Sequence, residues 1–387
     1  MRGELHEREA MTGWTGGMRR LGMLLAAVLL PALTGCDGFF VPVHGGGGGG
    51  GASSNNVYVA NVMTNSVAGF AVGTGTLKAV PNSPLALGYS PVSMVVTPSN
   101  SFLYVAGLSS INVYLIGSDG SLTAPSAGST AAVANVVSLD VSPDGNWLFG
   151  LDGLQQLLNV YQINTSTGGL TVVGAVPYGI QDGAWVPRMV RVAPNGALVY
   201  ASLGTAGDTI FTFNTATGLA VAGEHLNLLT GTSDNALAID GNSAYVYIAR
   251  SGVGPGVAVY KIGAQGHLDP VNGSPFAAGT QTYSVVLDST GKYVYAANRG
   301  DSTISGFSIG TGGVLTALSG SPYTSGLQVT SLGRDSSGKY VLAAAAGGSP
   351  DLTMYGFDSS SPGQLDRVTS VVTGTDPTGA TAVALTH

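Results

Sequence analysis

A single cysteine, Cys36, stands among the 387 residues, so no disulfide can form within the chain. Charge is scarce: Asp, Glu, Lys and Arg make up 9% of the residues, where an ordinary globular protein has about 25%. Formal net charge is −7 and no cluster of Lys or Arg occurs beyond the N-terminus, which excludes nucleic acid as the expected partner, because phosphates are held by a basic surface. The histidines, at 6, 44, 225, 267 and 387, have no ligand spacing with one another or with Cys36, so neither a metal nor another cofactor is expected. There is no Gly-x-Ser-x-Gly elbow and no phosphate-binding glycine loop. After Glu9 the only glutamate is Glu224, and on a strand its neighbour His225 faces the other way.

Glycine is abundant instead, 60 residues, and 44% of the chain is hydrophobic, a composition of tight turns and small sheet residues rather than of disorder. The clearest unit is Lys292 to Tyr323. Val294, Tyr295 and Ala296 open a strand, Asn298 to Ser302 turn it, Ile304 to Ile309 form a second, and Gly310 to Gly313 turn into Val314 to Leu318. With Tyr283 to Leu287 in front, the unit is a four-stranded antiparallel meander.

This unit recurs seven times. The position of Tyr295 is filled by Tyr58, Tyr104, Phe149, Tyr200, Tyr247 and Leu342 in the other copies. Leu77, Leu122, Leu170, Leu219, Leu268, Leu315 and Leu365 each follow a glycine by one or two residues, and an aromatic register runs Phe70, Tyr114, Tyr161, Phe213, Tyr260, Phe307 and Phe357. Repeats of about 40–50 residues in short strands specify a propeller or a solenoid. The first copy lacks its inner strand and the chain ends in an orphan apolar stretch, Ala380 to Thr386. The expected fold is therefore an all-β, seven-bladed propeller over residues 55–387, closed by the C-terminal strand completing blade 1, with no open edge. A monomer is expected.

Residues 1–54 lie outside that repeat. Arg19 and Arg20 precede the apolar run Leu21 to Ala32, too short for the about 20 residues of a membrane span, and Leu33-Thr34-Gly35-Cys36 follows. The order resembles a bacterial lipoprotein signal. That resemblance implies a signal peptide over 1–36, with Met11 or Met18 as alternative starts, lipidation of Cys36, and a glycine-rich tether over 37–54 holding the domain at the cell envelope through a membrane-inserted lipid.

In a propeller the first strand of each blade lines the central channel and alternate residues face it. The apolar parity, such as Leu139 and Val141 or Val190 and Val192, packs between blades. The other parity, with Ser93, Ser138, Met189, Ala236, Ser284, Ser331 and Gly333, faces the channel and is mostly small. Asp140 and Arg191 fall at one level on neighbouring blades, either as an ion pair that neutralises two channel charges or as a grip on an anionic or polar ligand. Arg334 stands at a position that is apolar in the other copies. Gly174 to Pro187 is a long entry that brings Tyr178, Asp182 and Trp185 next to Arg188, with Arg250 and Arg299 at matching points of the next two blades. Trp185, Arg188, Arg191, Asp140, Arg250 and Arg299 are the candidate ligand-binding set, suited to a small polar or anionic ligand such as a sugar or carboxylate.

The Tyr58-Val59-Ala60-Asn61 and Tyr295-Ala296-Ala297-Asn298 strands, the Gly-x-Leu turn, and Gly273-Ser274-Pro275-Phe276 with Gly320-Ser321-Pro322-Tyr323 resemble the seven-bladed lactonase propellers. That family includes one type of 6-phosphogluconolactonase and many YVTN-type repeat relatives. The resemblance implies a carboxylic ester hydrolase acting on sugar lactones. Its enzymes carry Pro-Arg-His entering one inner strand, a glutamate after that blade's second strand and a histidine pair entering the preceding blade. Here Pro187 and Arg188 match, while Met189, Gly204, Asn135 and Val137 stand at the other positions. On the lactonase reading, catalysis falls to Arg188, Arg191 and Asp140. These residues alone lead us to expect binding of a small ligand or protein partner at the channel mouth first, lactone hydrolysis second, and a structural scaffold third.

Overall fold

The computed structural model describes residues 55–126, 128–179, 185–347, 350–373 and 382–387, all within the compact unit Gly48–His387. The expected signal, Cys36, the tether, Asp182 and the start of the C-terminal stretch lie outside them. Seven antiparallel sheets of four principal strands form the blades. Six blades are consecutive meanders, whose inner strands are Ser93–Val96, Val136–Val141, Met189–Val192, Thr232–Ile239, Thr282–Leu287 and Val329–Arg334 in blades 2 to 7. Blade 1 takes its inner strand, Val383–Leu385, from the C-terminus, with Val57 opposite Leu385, Tyr58 opposite Ala384 and Val59 opposite Val383.

The repeat registers correspond to contacts between blades. Tyr58, Tyr104 and Tyr295 are fully buried, and each hydroxyl donates to a glycine carbonyl of the next blade: Gly120 at 2.9 Å, Gly168 at 2.8 Å and Gly363 at 2.7 Å. Each acceptor is the glycine of a Gly-x-Leu turn. In these three copies the tyrosine thus satisfies the turn of the following copy, which ties the two registers together. The serine of the Gly-Ser-Pro motif accepts from a third-strand amide, Val259 N–H at 2.8 Å for Ser274 and Gly306 N–H at 2.9 Å for Ser321. The short strands Phe276–Ala277 and Tyr323–Thr324 then pair with the same third strands. Turns after the inner strands are built by side-chain acceptors, as at Asp144, which accepts from Asn146 N–H, and Asn195, which accepts from Ala197 N–H.

The inner strands show why small polar residues sit near the axis. An inner strand is the edge strand of its blade, so amides on its free side need partners from elsewhere. Ser93 accepts from Leu139 N–H of blade 3 at 3.0 Å, Ser138 from Val190 N–H of blade 4 at 3.1 Å, and Ser284 from Leu332 N–H of blade 7 at 3.1 Å. These serines were expected to line the channel; they are fully buried and join adjacent blades. In blade 4 the Met189 sulfur takes the serine's place, 3.3 Å from Leu237 N. Gly333 has its own reason, because a Cβ there would come within 2.2 Å of Leu385 Cδ1 on the closing strand.

Candidate functional site

The channel has two mouths, one where the inner strands begin and one where they end. Met189–Val192 is four residues long, so Arg188 and Arg191 stand about 10 Å apart along the axis. The expected ligand-binding set is therefore divided: Trp185, Arg188, Arg250 and Arg299 belong to the entry mouth, Asp140 and Arg191 to the exit mouth.

At the exit mouth, one residue per blade reaches the same level: Ala384, Val95, Asp140, Arg191, Ala238, Val286 and Gly333. Each is opposite the tyrosine position of its second strand. Arg191 Nη1 lies 3.8 Å from Asp140 Oδ1 and donates to the Val190 carbonyl at 3.2 Å. Asp140 Oδ2 accepts from Val192 N–H at 2.7 Å, the edge-amide contact made elsewhere by serine. Burial pushes the Asp140 carboxyl above its ordinary range, against the pull of Arg191 and of that amide. Arg334 falls on the blade-packing parity, yet it ends its strand at the rim. There it is exposed, and Nη1 donates to the Asp288 carbonyl of blade 6 at 3.0 Å.

At the entry mouth the structure reveals a buried cluster that the sequence reading missed. Asp234 is 0% exposed and receives both Nε and Nη2 of Arg250, each at 2.7 Å, while Arg250 Nη2 also reaches the Tyr260 hydroxyl at 3.2 Å. Asp208, 1% exposed, lies beside this pair with no hydrogen bond of ordinary geometry to either carboxyl oxygen among the described residues. Burial first, then the charge of Asp234, raises the Asp208 pKa well above the carboxylate range, only partly opposed by Arg250. Ser202 ties the cluster together: it pairs with Asp208, its hydroxyl donates to the Asp234 carbonyl at 2.8 Å, and its carbonyl accepts from Arg188 N–H at 2.8 Å. Arg188 Nε is buried without a partner among the described residues.

Several expectations are corrected here. Arg250 is buried in an ion pair and is not an open ligand-binding group. Arg250 follows its repeat tyrosine, Tyr247, by three residues and Arg299 follows Tyr295 by four, so their positions do not match. Arg299 instead lies over the Tyr283 ring at 5.3 Å, beside a recess shared with Gln281 and Gln328. Tyr178 is buried and donates to the Asp152 carbonyl, and Trp185 meets it edge to face at 6.3 Å, packed on the core of blades 3 and 4. Neither ring is an open stacking platform. Glu224 and His225 do face opposite ways, Glu224 to His267 and His225 to Thr209. Gly204 has φ +64, and a Cβ there would stand 2.9 Å from the Val186 carbonyl oxygen, so a glutamate at this position would be strained.

The model of the family described as lactonase, 7-bladed beta-propeller matches residues 268–381. No curated protein sequence matches the chain. Among solved structures, a Bacteroides uniformis protein provisionally described as a 6-phosphogluconolactonase is 15% identical with a TM-score of 0.71, covering 86% of this chain and 99% of its own. The periplasmic gluconolactonase of Pseudomonas aeruginosa is 16% identical with a TM-score of 0.69, covering 87% and 99%. Hydrazine synthase of Kuenenia stuttgartiensis, at 18% identity and a TM-score of 0.59, covers 77% and 91%. Likeness at these identities gives the fold, which serves unrelated chemistries.

Proposed function

We propose that this chain is a lactonase-type propeller, exported and lipid-anchored, that hydrolyses a sugar lactone at the entry mouth. The observation that carries the reading is Arg188, whose buried Nε has no partner among the described residues, at the same mouth as Asp208, a carboxyl whose pKa burial raises well above its ordinary range. The family match over residues 268–381 and the fold shared with a gluconolactonase support it.

Opening a lactone needs a cation to stabilise the oxyanion as water attacks, and a group that manages protons as the ring oxygen leaves. Arg188 is suited to the first task. The histidine of the related motif is Met189 here, and the buried carboxyl groups of this mouth are Asp208 and Asp234. Asp140, the acid–base candidate from sequence, is at the other mouth. Asp208, on the strand paired with Ser202, whose carbonyl in turn accepts from Arg188 N–H, is the proton-holding candidate of the entry mouth. Purified domain should hydrolyse gluconolactone or 6-phosphogluconolactone above the uncatalysed rate, and Arg188→Ala should lower kcat by about 10²–10³, the cost of losing one oxyanion donor. Turnover at background would leave ligand binding without catalysis as the reading, which the Met189 substitution favours; real turnover unchanged in the variant would mean that Arg188 does not carry the reaction.

Anchoring rests on the ordered basic, apolar and Leu-Thr-Gly-Cys segments before the propeller. Cys36→Ala is expected to move the protein from the membrane fraction to the soluble or unprocessed fraction. Mature protein whose N-terminal peptide begins well before Cys36 would show that no lipoprotein processing occurs.

A further inference from the structure

The exit mouth opens into a cavity of about 340 Å³, lined by Asp140, Arg191 and Arg334 together with apolar residues that include Ala238, Val286 and Leu385. Its size is at the lower end of small-molecule sites. Two arginines in a chain with only 14 basic residues enter this one cavity from blades 4 and 7. A guanidinium has five N–H donors. Among the described residues, Arg191 spends one on the Val190 carbonyl and stands 3.8 Å from Asp140, and Arg334 spends one on the Asp288 carbonyl. The Asp140–Arg191 contact is too long for a forked pair, and Asp140 is engaged more closely by Val192 N–H at 2.7 Å. The pair therefore leaves Arg191 with donors to spare, and no carboxylate is paired with Arg334 among the described residues.

We propose that this mouth is a second ligand site, separate from the lactone site, which takes a small organic monocarboxylate with its charged end between Arg191 and Arg334 and its apolar body against Val286 and Leu385. Charge selects the class. Arg191 and Arg334 outnumber Asp140, the one acidic side chain of a lining that also holds His387, so the cavity selects an anion. The apolar walls favour an anion with a hydrocarbon body over a fully hydrated inorganic one.

Benzoate, uncharged benzamide and inorganic phosphate distinguish the alternatives by isothermal titration of the intact propeller. Benzoate should bind, benzamide and phosphate at least tenfold more weakly. Arg191→Gln and Arg334→Gln should each lower benzoate affinity at least tenfold, with gluconolactone turnover unchanged because Arg188 is at the other mouth. Arg334 is exposed and no carboxylate is paired with it among the described residues, so Arg334→Gln should keep the wild-type melting temperature and tests the site even where Arg191→Gln, which takes the cation from Asp140, lowers it. Absence of benzoate binding, equal binding of benzamide, a preference for phosphate, or undiminished binding in the double variant would overturn the proposal. Loss of lactone turnover with benzoate binding intact would count against the entry-mouth reading alone.

Discussion

A chain ending at residue 381 is expected not to fold into a stable propeller. The last six residues carry the inner strand of blade 1, and three contacts fix its place: Ala60 N–H to the Ala382 carbonyl at 2.9 Å, Thr386 N–H to the Asn56 carbonyl at 3.0 Å, and Asn56 N–H to the Thr386 hydroxyl at 2.8 Å. Each such bond contributes about 1 kcal/mol net. The strand also covers Val57, Tyr58 and Val59, all at 0% exposure, and Leu385 packs against Gly333 of blade 7. Removing it uncovers these side chains and leaves a hydrogen-bonding edge at the axis, open to other chains. Against a total stability of about 5–15 kcal/mol, losing several bonds and part of the buried apolar area of three core residues should unfold or aggregate the domain. Thermal unfolding followed by circular dichroism, with size exclusion, checks this. A truncated protein that is monomeric and melts with the full chain would mean that the ring does not depend on this strand.

The closure was legible because it is a counting property: seven second strands, and a first copy without its inner strand. Strand parity was legible for the same reason, since alternation places Asp140 and Arg191 toward the axis whatever the side chains do there. What alternation does not specify is how much room the axis has. Ser93, Ser138 and Ser284 point inward as their parity requires, but the strands crowd so closely that each hydroxyl meets an edge amide of the next blade. Rim positions were hard to read because side chains there are free of the period. Arg334 lies on the packing parity and still turns outward at the strand end, and the one-residue offset between Arg250 and Arg299 puts one in the core and the other over Tyr283. The acidic cluster was missed because Asp208 and Asp234 belong to different blades and meet only after the ring forms. One signal was available: both are aspartates inside strands, where among the described residues only Asp140, Asp152, Asp269 and Asp366 also stand.

That cluster should dominate the response to single substitutions. Arg250→Met removes the only cation bound to Asp234 among the described residues and leaves a carboxylate at 0% exposure without a countercharge. Breaking a buried pair from one side costs about 3–5 kcal/mol, a large part of the stability of a domain. Asp208→Asn should act in the opposite direction. The Asp208 pKa is raised in the folded state, so the native protein holds a proton that the unfolded chain releases near pH 4. The stabilisation from that proton is complete below the unfolded pKa and is lost as pH rises through the folded one, with a slope of up to about 1.4 kcal/mol per pH unit for one group. An asparagine cannot ionise and offers an N–H to Asp234 at every pH, so the variant should match the wild type near pH 4 and exceed it increasingly as pH rises. Urea unfolding between pH 4 and pH 9 separates the two effects. A parallel pH dependence in Asp208→Asn and wild type would mean that Asp208 is already ionised in the fold. Unchanged stability in Arg250→Met would mean that Asp234 is not the buried anion this cluster is built around.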